Sequence, residues 1–279
     1  MGKSTLLNQI VHQKISIVTD KPQTTRNRIH AIKTVEDVQM VFIDTPGIYE
    51  GKLELCRYMR GQALKSLKGV DLVLFVTDRT GPLCEDDRYI LSRIKQYGVP
   101  AFFILNKVDK MEKDAVLVTL DLFLKEFPFR ELFPLSALEK NSIESLEREI
   151  ISFLPEGPFF FPADAVTDQT EEFLISELIR EKIFKLTQKE VPYASAVGVE
   201  KMEERKSGML VVYAAIYVEK ESQKGILIGK GGGLLKKIGT QARMDMEKRL
   251  GAKVFLDLQV KVKKEWSRSP RSLKEMGYE

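Results

Sequence analysis

Four short runs in this chain carry side chains able to hold a phosphate, a divalent cation and a purine. Gly2, Lys3, Ser4 and Thr5 read as the end of a phosphate-binding loop, G-x-x-x-x-G-K-[ST]. Lysine there reaches the β- and γ-phosphates, the next hydroxyl suits Mg²⁺, and the following helix points its amino end at the anion. Asp44, Thr45, Pro46 and Gly47 follow the apolar run 40–43. A carboxylate in that place supports the metal's shell, and the glycine N–H meets the γ-phosphate. Asn106, Lys107, Val108 and Asp109 follow a second apolar run. The Asp109 carboxylate can accept from both the ring N–H and the exocyclic amine of guanine. Adenine offers no such pair, so the spacing selects GTP over ATP. Ser136 and Ala137 end a third run and offer backbone N–H groups to the guanine oxygen. Each run alone also suits a turn after a strand; four in order make a nucleotide site.

Those residues need a scaffold, and the first half of the chain spells one. Strand patterns fall at 29–35, 39–43, 70–76, 101–106 and 132–135, and helical patterns at 4–11, 55–67, 85–96, 113–125 and 142–153. Such alternation predicts a doubly wound, mostly parallel α/β sheet with ligands at the carboxyl ends of its strands. Three prolines and a glycine between 154 and 162 break the rhythm. That stretch reads as a linker or a wrap at the domain's end, and the expected domains are 1–155, a linker over 156–169, and 170–279.

The second half has a different order. A helix at 170–189, strands at 194–200 and 209–218, a short helix at 223–227, a long helix at 234–250 and a strand at 253–263 form an α+β unit. Where its last two helices meet lie Ile226, Ile228, Gly229, Lys230, Gly231 and Gly232, with Lys236, Lys237 and Arg243 on the long helix that follows. Residues 224–279 hold 14 basic and 6 acidic side chains, the electrostatic footprint of a polyanion binder.

Composition excludes several classes. A hydrophobic share of 43% with 30% charged residues rules out disorder, a collagen rod and a disulfide scaffold. No apolar run nears the ~20 residues of a membrane-spanning helix, and the amino terminus lacks the pattern of a signal peptide. Cys56 and Cys84 read as free thiols in a reducing cytoplasm. His12 and His30 make no metal cluster. Trp266 beside Lys263 and Lys264 suits packing better than base stacking, and the polar face of 170–189, with Glu171, Glu172, Glu177 and Glu181, suits packing between domains better than a membrane surface. Phe159, Phe160 and Phe161 are expected to be buried between the domains.

The run Lys21 to Arg26 followed by D-T-P-G resembles the first switch of Era-like GTPases. The stretch 225–232 resembles the I-G-x-x-G loop of a KH domain, and the α-β-β-α-α-β order is similar to its type II topology. Together the resemblance to the Era family covers essentially the whole chain. It implies a Mg²⁺-dependent GTPase, binding GTP and GDP, joined to an RNA-binding domain. Lys3 would contact phosphate; Ser4 and Thr25 (rather than Thr24) would ligate Mg²⁺, supported by Asp44; Asn106, Lys107 and Asp109 would hold guanine. The implied partner is the 3′ end of small-subunit ribosomal RNA on the small ribosomal subunit, met by a cytoplasmic monomer with peripheral contact at the cell membrane. Ile48 stands where related enzymes place a water-orienting glutamine, so the resemblance names no catalytic residue. The chain departs from the family's pattern at its start. The first strand and a G-x-P-N run are missing, and Met1 stands where the family has valine. The expectation is a GTG codon taken as a start, the alternative being a natural fragment with a dead GTPase half, and the missing strand is expected to leave a ladder open on each neighbour. The alternatives are an RNA-binding protein with an inert GTPase half and a tandem-GTPase ribosome factor; a single N-K-x-D disfavours the second.

Overall fold

In the computed structural model, which describes residues 1–48, 51 and 53–278, helices and strands alternate down the first half of the chain. Helix α1 (Lys3–Ile10) is followed by β1 (Ile29–Val35), β2 (Val38–Asp44), α2 (Glu54–Lys65), β3 (Val73–Thr77) and α3 (Glu85–Tyr97). Then come β4 (Ala101–Asn106), α4 (Lys113–Glu126), β5 (Glu131–Leu135) and α5 (Lys140–Phe153). The second half runs α6 (Glu171–Leu186), β6 (Ala196–Glu204), β7 (Leu210–Val218), α7 (Glu221–Ile228), α8 (Gly233–Leu250), β8 (Val254–Val262) and α9 (Pro270–Glu275).

The chain divides into two units. The first takes Met1–Val18, Thr25–Glu50 and Met59–Asp168; the second takes Thr19–Thr24, Gly51–Tyr58 and Gln169–Glu279. Residues 156–168, read from the sequence as a linker or a domain-end wrap, group with the first unit, where the Val166 carbonyl accepts from Ile32 N at 2.9 Å. Two early stretches, 19–24 and 51–58, fold with the second.

In the first unit β4 is the middle strand of a parallel trio, β3-β4-β5. All six of its residues are buried, as expected of a strand covered on both faces. Its side chains alternate between two cores. Phe102 and Ile104 meet Leu6 and Ile10 of α1 and Leu146 and Ile150 of α5. Phe103 and Leu105 meet Leu91 and Ile94 of α3 and Phe123 of α4. The Phe103 and Phe123 rings stack with centres 4.4 Å apart. Deleting a ring so buried typically costs about 3–5 kcal/mol.

β1 and β2 form a separate antiparallel hairpin. Among the described residues no ladder joins β2 to β3, and a cavity of about 680 Å³ runs along both, lined by consecutive residues of each (40–44 and 73–76). The sheet therefore stands in two pieces, with each of those strands paired on one edge.

The second unit places β7 between β6, antiparallel, and β8, parallel. Helix α6 starts at Thr170, whose hydroxyl accepts from Phe173 N at 3.3 Å, an ordinary amino-terminal cap. It is buried over nearly its whole circumference. Glu177 and Glu181, read from the sequence as part of the polar face of a packing helix, are buried. Each has a cation alongside: Arg180 Nε donates to Glu177 Oε1 at 2.7 Å, and Lys182 Nζ to Glu181 Oε2 at 2.9 Å. The aromatic run departs from expectation, since Phe159 and Phe160 are exposed, Phe160 at 81%. Their segment is held by its backbone: Phe160 N and Phe161 N both donate to Gln39 Oε1. Trp266 is buried and donates from Nε1 to the Ala194 carbonyl at 3.0 Å.

Candidate functional site

The carboxyl ends of β2, β3 and β4 and the amino end of α1 converge on one cluster of polar groups. Gly2 caps α1 with φ 79°. A Cβ on it would lie 2.5 Å from Asn106 Nδ2, so both backbone angle and space demand glycine. Lys3 sends its ammonium to within 4.0 Å of where a Gly47 Cβ would stand. Burial pushes that ammonium below its usual range, against the opposing pull of Asp44 and Asp78. An ammonium so placed gains from an incoming anion.

Beside it, Ser4 Oγ donates to Asp44 Oδ2 at 2.7 Å, Thr25 Oγ1 lies 3.0 Å from Ser4 Oγ, and Thr25 Oγ1 donates to Asp44 Oδ2 at 3.3 Å. Thr25 and Asp44 are buried. Two hydroxyls and a carboxylate are the hard oxygen set that Mg²⁺ prefers. The neighbouring Thr24 turns away, its Oγ1 lying 2.6 Å from Thr19 Oγ1 and donating to the Lys21 carbonyl at 2.8 Å. Thr45, Pro46, Gly47 and Ile48 follow β2 along the cavity wall. Of the stretch 47–60 that begins at the glycine of D-T-P-G, residues Tyr49, Glu50 and Lys52 lie outside the described residues.

Asn106 is the knot of the base end. Its Oδ1 accepts from Lys107 N at 2.8 Å and Ala137 N at 2.9 Å, and its Nδ2 donates to the Met1 carbonyl at 3.0 Å. It thereby ties three of the sequence motifs together from a site only 1% exposed. Asp109 lies exposed in the 3₁₀ turn Val108–Lys110. Ser136 and Ala137 are buried just after β5. One group that sequence reasoning passed over stands here. Asp78 Oδ2 accepts from Lys107 Nζ at 2.6 Å and from the Met1 amine at 3.0 Å. Burial works to raise the Asp78 carboxyl, but the bonds from Lys107 and Met1 hold it below its usual value. An aspartate directly after an apolar strand was the available signal.

The second unit carries the other candidate site. Gly229 (φ 70°), Gly231 (φ 57°) and Gly232 (φ 77°) link α7 to α8. A Cβ on Gly229 would lie 2.9 Å from Leu234 Cβ and 3.1 Å from Leu234 N, so the turn closes only with glycine. Lys230, Lys236 and Lys237 are exposed. Ile226 is 48% exposed, whereas Ile228 packs partly against the core of the unit. Arg243 faces Glu247 at 3.9 Å. Backbone N–H groups and lysines around a glycine turn suit the sugar-phosphate of a single strand.

Residues 1–107 match the family described as 50S ribosome-binding GTPase, and 190–267 match the KH domain. The chain is 49% identical to GTPase Era of Geotalea uraniireducens over 279 residues, spanning 100% of this chain and 94% of that protein. It is 47% identical to GTPase Era of Alkaliphilus metalliredigens, spanning 100% and 95%. Among solved structures it resembles Era in complex with MgGDPNP and nucleotides 1506–1542 of 16S ribosomal RNA, at TM-score 0.95 and 38% identity over 99% of this chain and 94% of that one. An Aquifex aeolicus Era variant bound to GDP and aluminium fluoride matches equally, at TM-score 0.95 and 38% identity over 99% and 95%.

Proposed function

Because the chain belongs to the Era family of GTPases, we propose that it binds and hydrolyses GTP with Mg²⁺ and binds ribosomal RNA during small-subunit assembly. The observation that carries this reading is the oxygen triangle of Ser4, Thr25 and Asp44 beside the buried Lys3 ammonium. Lys3 takes the β- and γ-phosphates, Ser4 and Thr25 ligate the cation, and Asp44 supports it through water. Held there, Mg²⁺ neutralises charge on the phosphate oxygens as water attacks in line. Gly47 N–H meets the γ-phosphate. Asn106 positions the base turn, Lys107 lies along the ring, Asp109 accepts from guanine, and Ser136 and Ala137 face its oxygen. Loss of the γ-phosphate frees Thr25 and 47–60, the order–disorder readout of such switches.

RNA binding is assigned to the turn 229–232 with Ile226, Ile228, Lys236 and Lys237. The small-subunit RNA held by a homologue of 38% identity supports that choice of partner. The finer parts of the reading are the domain limits 1–155 and 170–279, with 156–169 between them, and a cytoplasmic monomer touching the inner face of the membrane peripherally. No helix among the described residues is long and apolar enough to cross a membrane.

The test is thermal stabilisation by GTP with and without Mg²⁺, alongside phosphate release and binding of a single-stranded 16S 3′-end RNA. Mg²⁺-dependent stabilisation with turnover is expected. RNA binding without any nucleotide effect would favour an RNA-binding protein with an inert GTPase half.

A further inference from the structure

Lys107 is held at both ends. At its backbone, φ is 66°, a left-handed setting that an ordinary side chain enters at a cost. That setting directs the side chain across the end of the phosphate loop: a Cβ on Gly2 would lie 3.9 Å from Lys107 Cε. At the far end the ammonium donates to Asp78 Oδ2 at 2.6 Å. Strand pairing delivers that carboxylate. Thr77 is in register with Leu105 across the parallel β3–β4 ladder, so the next residues, Asp78 just past β3 and Asn106 at the end of β4, stand side by side. Lys107 is one residue further.

A free lysine samples many rotamers, and fixing it costs conformational entropy. Asp78 removes much of that freedom before any ligand arrives. We propose that Asp78 is a positioning residue for base recognition: by anchoring the Lys107 ammonium, it lays the four-carbon stem out as a flat apolar rail for the face of a purine. The inference rests on the guanine reading of this site and adds to it a residue that never touches the nucleotide. It also explains why an aspartate, rather than an amide, suits that position, since a full charge holds an ammonium more firmly than a neutral acceptor.

The experiment is a double-mutant cycle on GDP affinity with Asp78→Ala, Lys107→Ala and the pair, plus Asp78→Asn and Asp78→Glu. Asp78→Ala is expected to weaken GDP binding roughly three- to tenfold, the range of a half-exposed ion pair. In the Lys107→Ala background it should do nothing more, and Asp78→Glu should restore part of the loss where Asp78→Asn does not. Equal losses in both backgrounds, or no loss in either, would overturn the proposal. Amide exchange of 106–110 without nucleotide gives an independent reading. It should quicken in Asp78→Ala and not further in the pair, and unchanged exchange would also overturn it. That second arm decides the matter even if the unaltered chain binds no GDP, a result that would strike the guanine reading instead.

Discussion

Two adjacent threonines at 24 and 25 take opposite tasks, and the difference lies in which way each hydroxyl turns. Thr25 reaches Ser4 and Asp44, whereas Thr24 bonds within its own loop. Thr25→Ala should therefore lower GTP hydrolysis at least about tenfold while GDP binding changes little, because a switch threonine meets the metal only in the triphosphate state. Thr24→Ala should leave turnover within about twofold and loosen only its loop; single-turnover kinetics and GDP titration on both variants check this. Lys3 supplies a second test at this scale. Its folded value is pushed below the ordinary 10.5 by burial, so between the two values the unfolded chain binds more protons. Stability of the nucleotide-free protein must then rise with pH across that window. Lys3→Met should reduce that rise, leaving the smaller part due to the Met1 amine, which burial also holds below its ordinary 8.0, and should gain stability relative to the parent near neutral pH and lose all stabilisation by GTP. Urea titrations across the alkaline range would read it, and a rise of undiminished size in Lys3→Met would refute it.

At the scale of elements, the stretch 19–24 folds with the second unit, and its anchor is one lysine. Lys21 Nζ donates to the carbonyls of Phe184 and Thr187 at the carboxyl end of α6. A cation there satisfies carbonyls that the helix cannot and complements its dipole. Lys21→Ala should cost about 1–2 kcal/mol in local opening, seen as faster amide exchange over 19–24 with β7 unaffected. None of this is legible in the sequence, since Lys21 lies 163 residues from Phe184 and no pattern announces so distant a partner. What is legible follows periodicity. The unbroken apolar run of β4 and the glycines around α8 locate their elements to within a residue or two. Where two forces compete, the reading is coarser. Charge alone would leave Glu177 and Glu181 solvated, yet their partners Arg180 and Lys182 allow burial. The helix α9 has six residues, too short for a pattern, although Ser269 caps it by accepting from Ser272 N at 3.3 Å and Pro270 suits its first turn. Of the nucleotide site, the four motifs are legible because their residue types occur in a fixed order, three of them at the end of a strand and 2–5 at the start of α1. Asp78 is not, because a single aspartate after a strand carries no spacing to mark it.

For the whole molecule, the basic surplus of residues 224–279 governs how it meets a polyanion. Lys230→Asp with Gly231→Asp should abolish RNA binding and leave GTP binding intact, since acidic groups repel phosphate and side chains obstruct the backbone approach. A Cβ at 231 meets nothing within 4 Å, and the cost of an aspartate there is the backbone strain of φ 57°; circular dichroism must therefore show that the unit stays folded. With single lysine changes, the salt slope of RNA binding should flatten by about 0.7 for each phosphate no longer neutralised. A folded double variant that binds single-stranded RNA normally would remove the turn from the RNA site.

The chain has one tryptophan, and its place in the second unit makes that unit separately visible to light. Trp266 is fully buried, bonded to a carbonyl and stacked on Tyr278 with ring centres 5.9 Å apart. An indole so shielded emits at short wavelength when folded and shifts to the red when water reaches it. The first unit holds no such fluorophore and is silent in that channel. Tryptophan emission should therefore follow the melting of residues 169–278 alone, while far-ultraviolet dichroism sums both units. Added GDP should move the dichroism midpoint, and the emission midpoint should follow it only if the two units melt in one cooperative step.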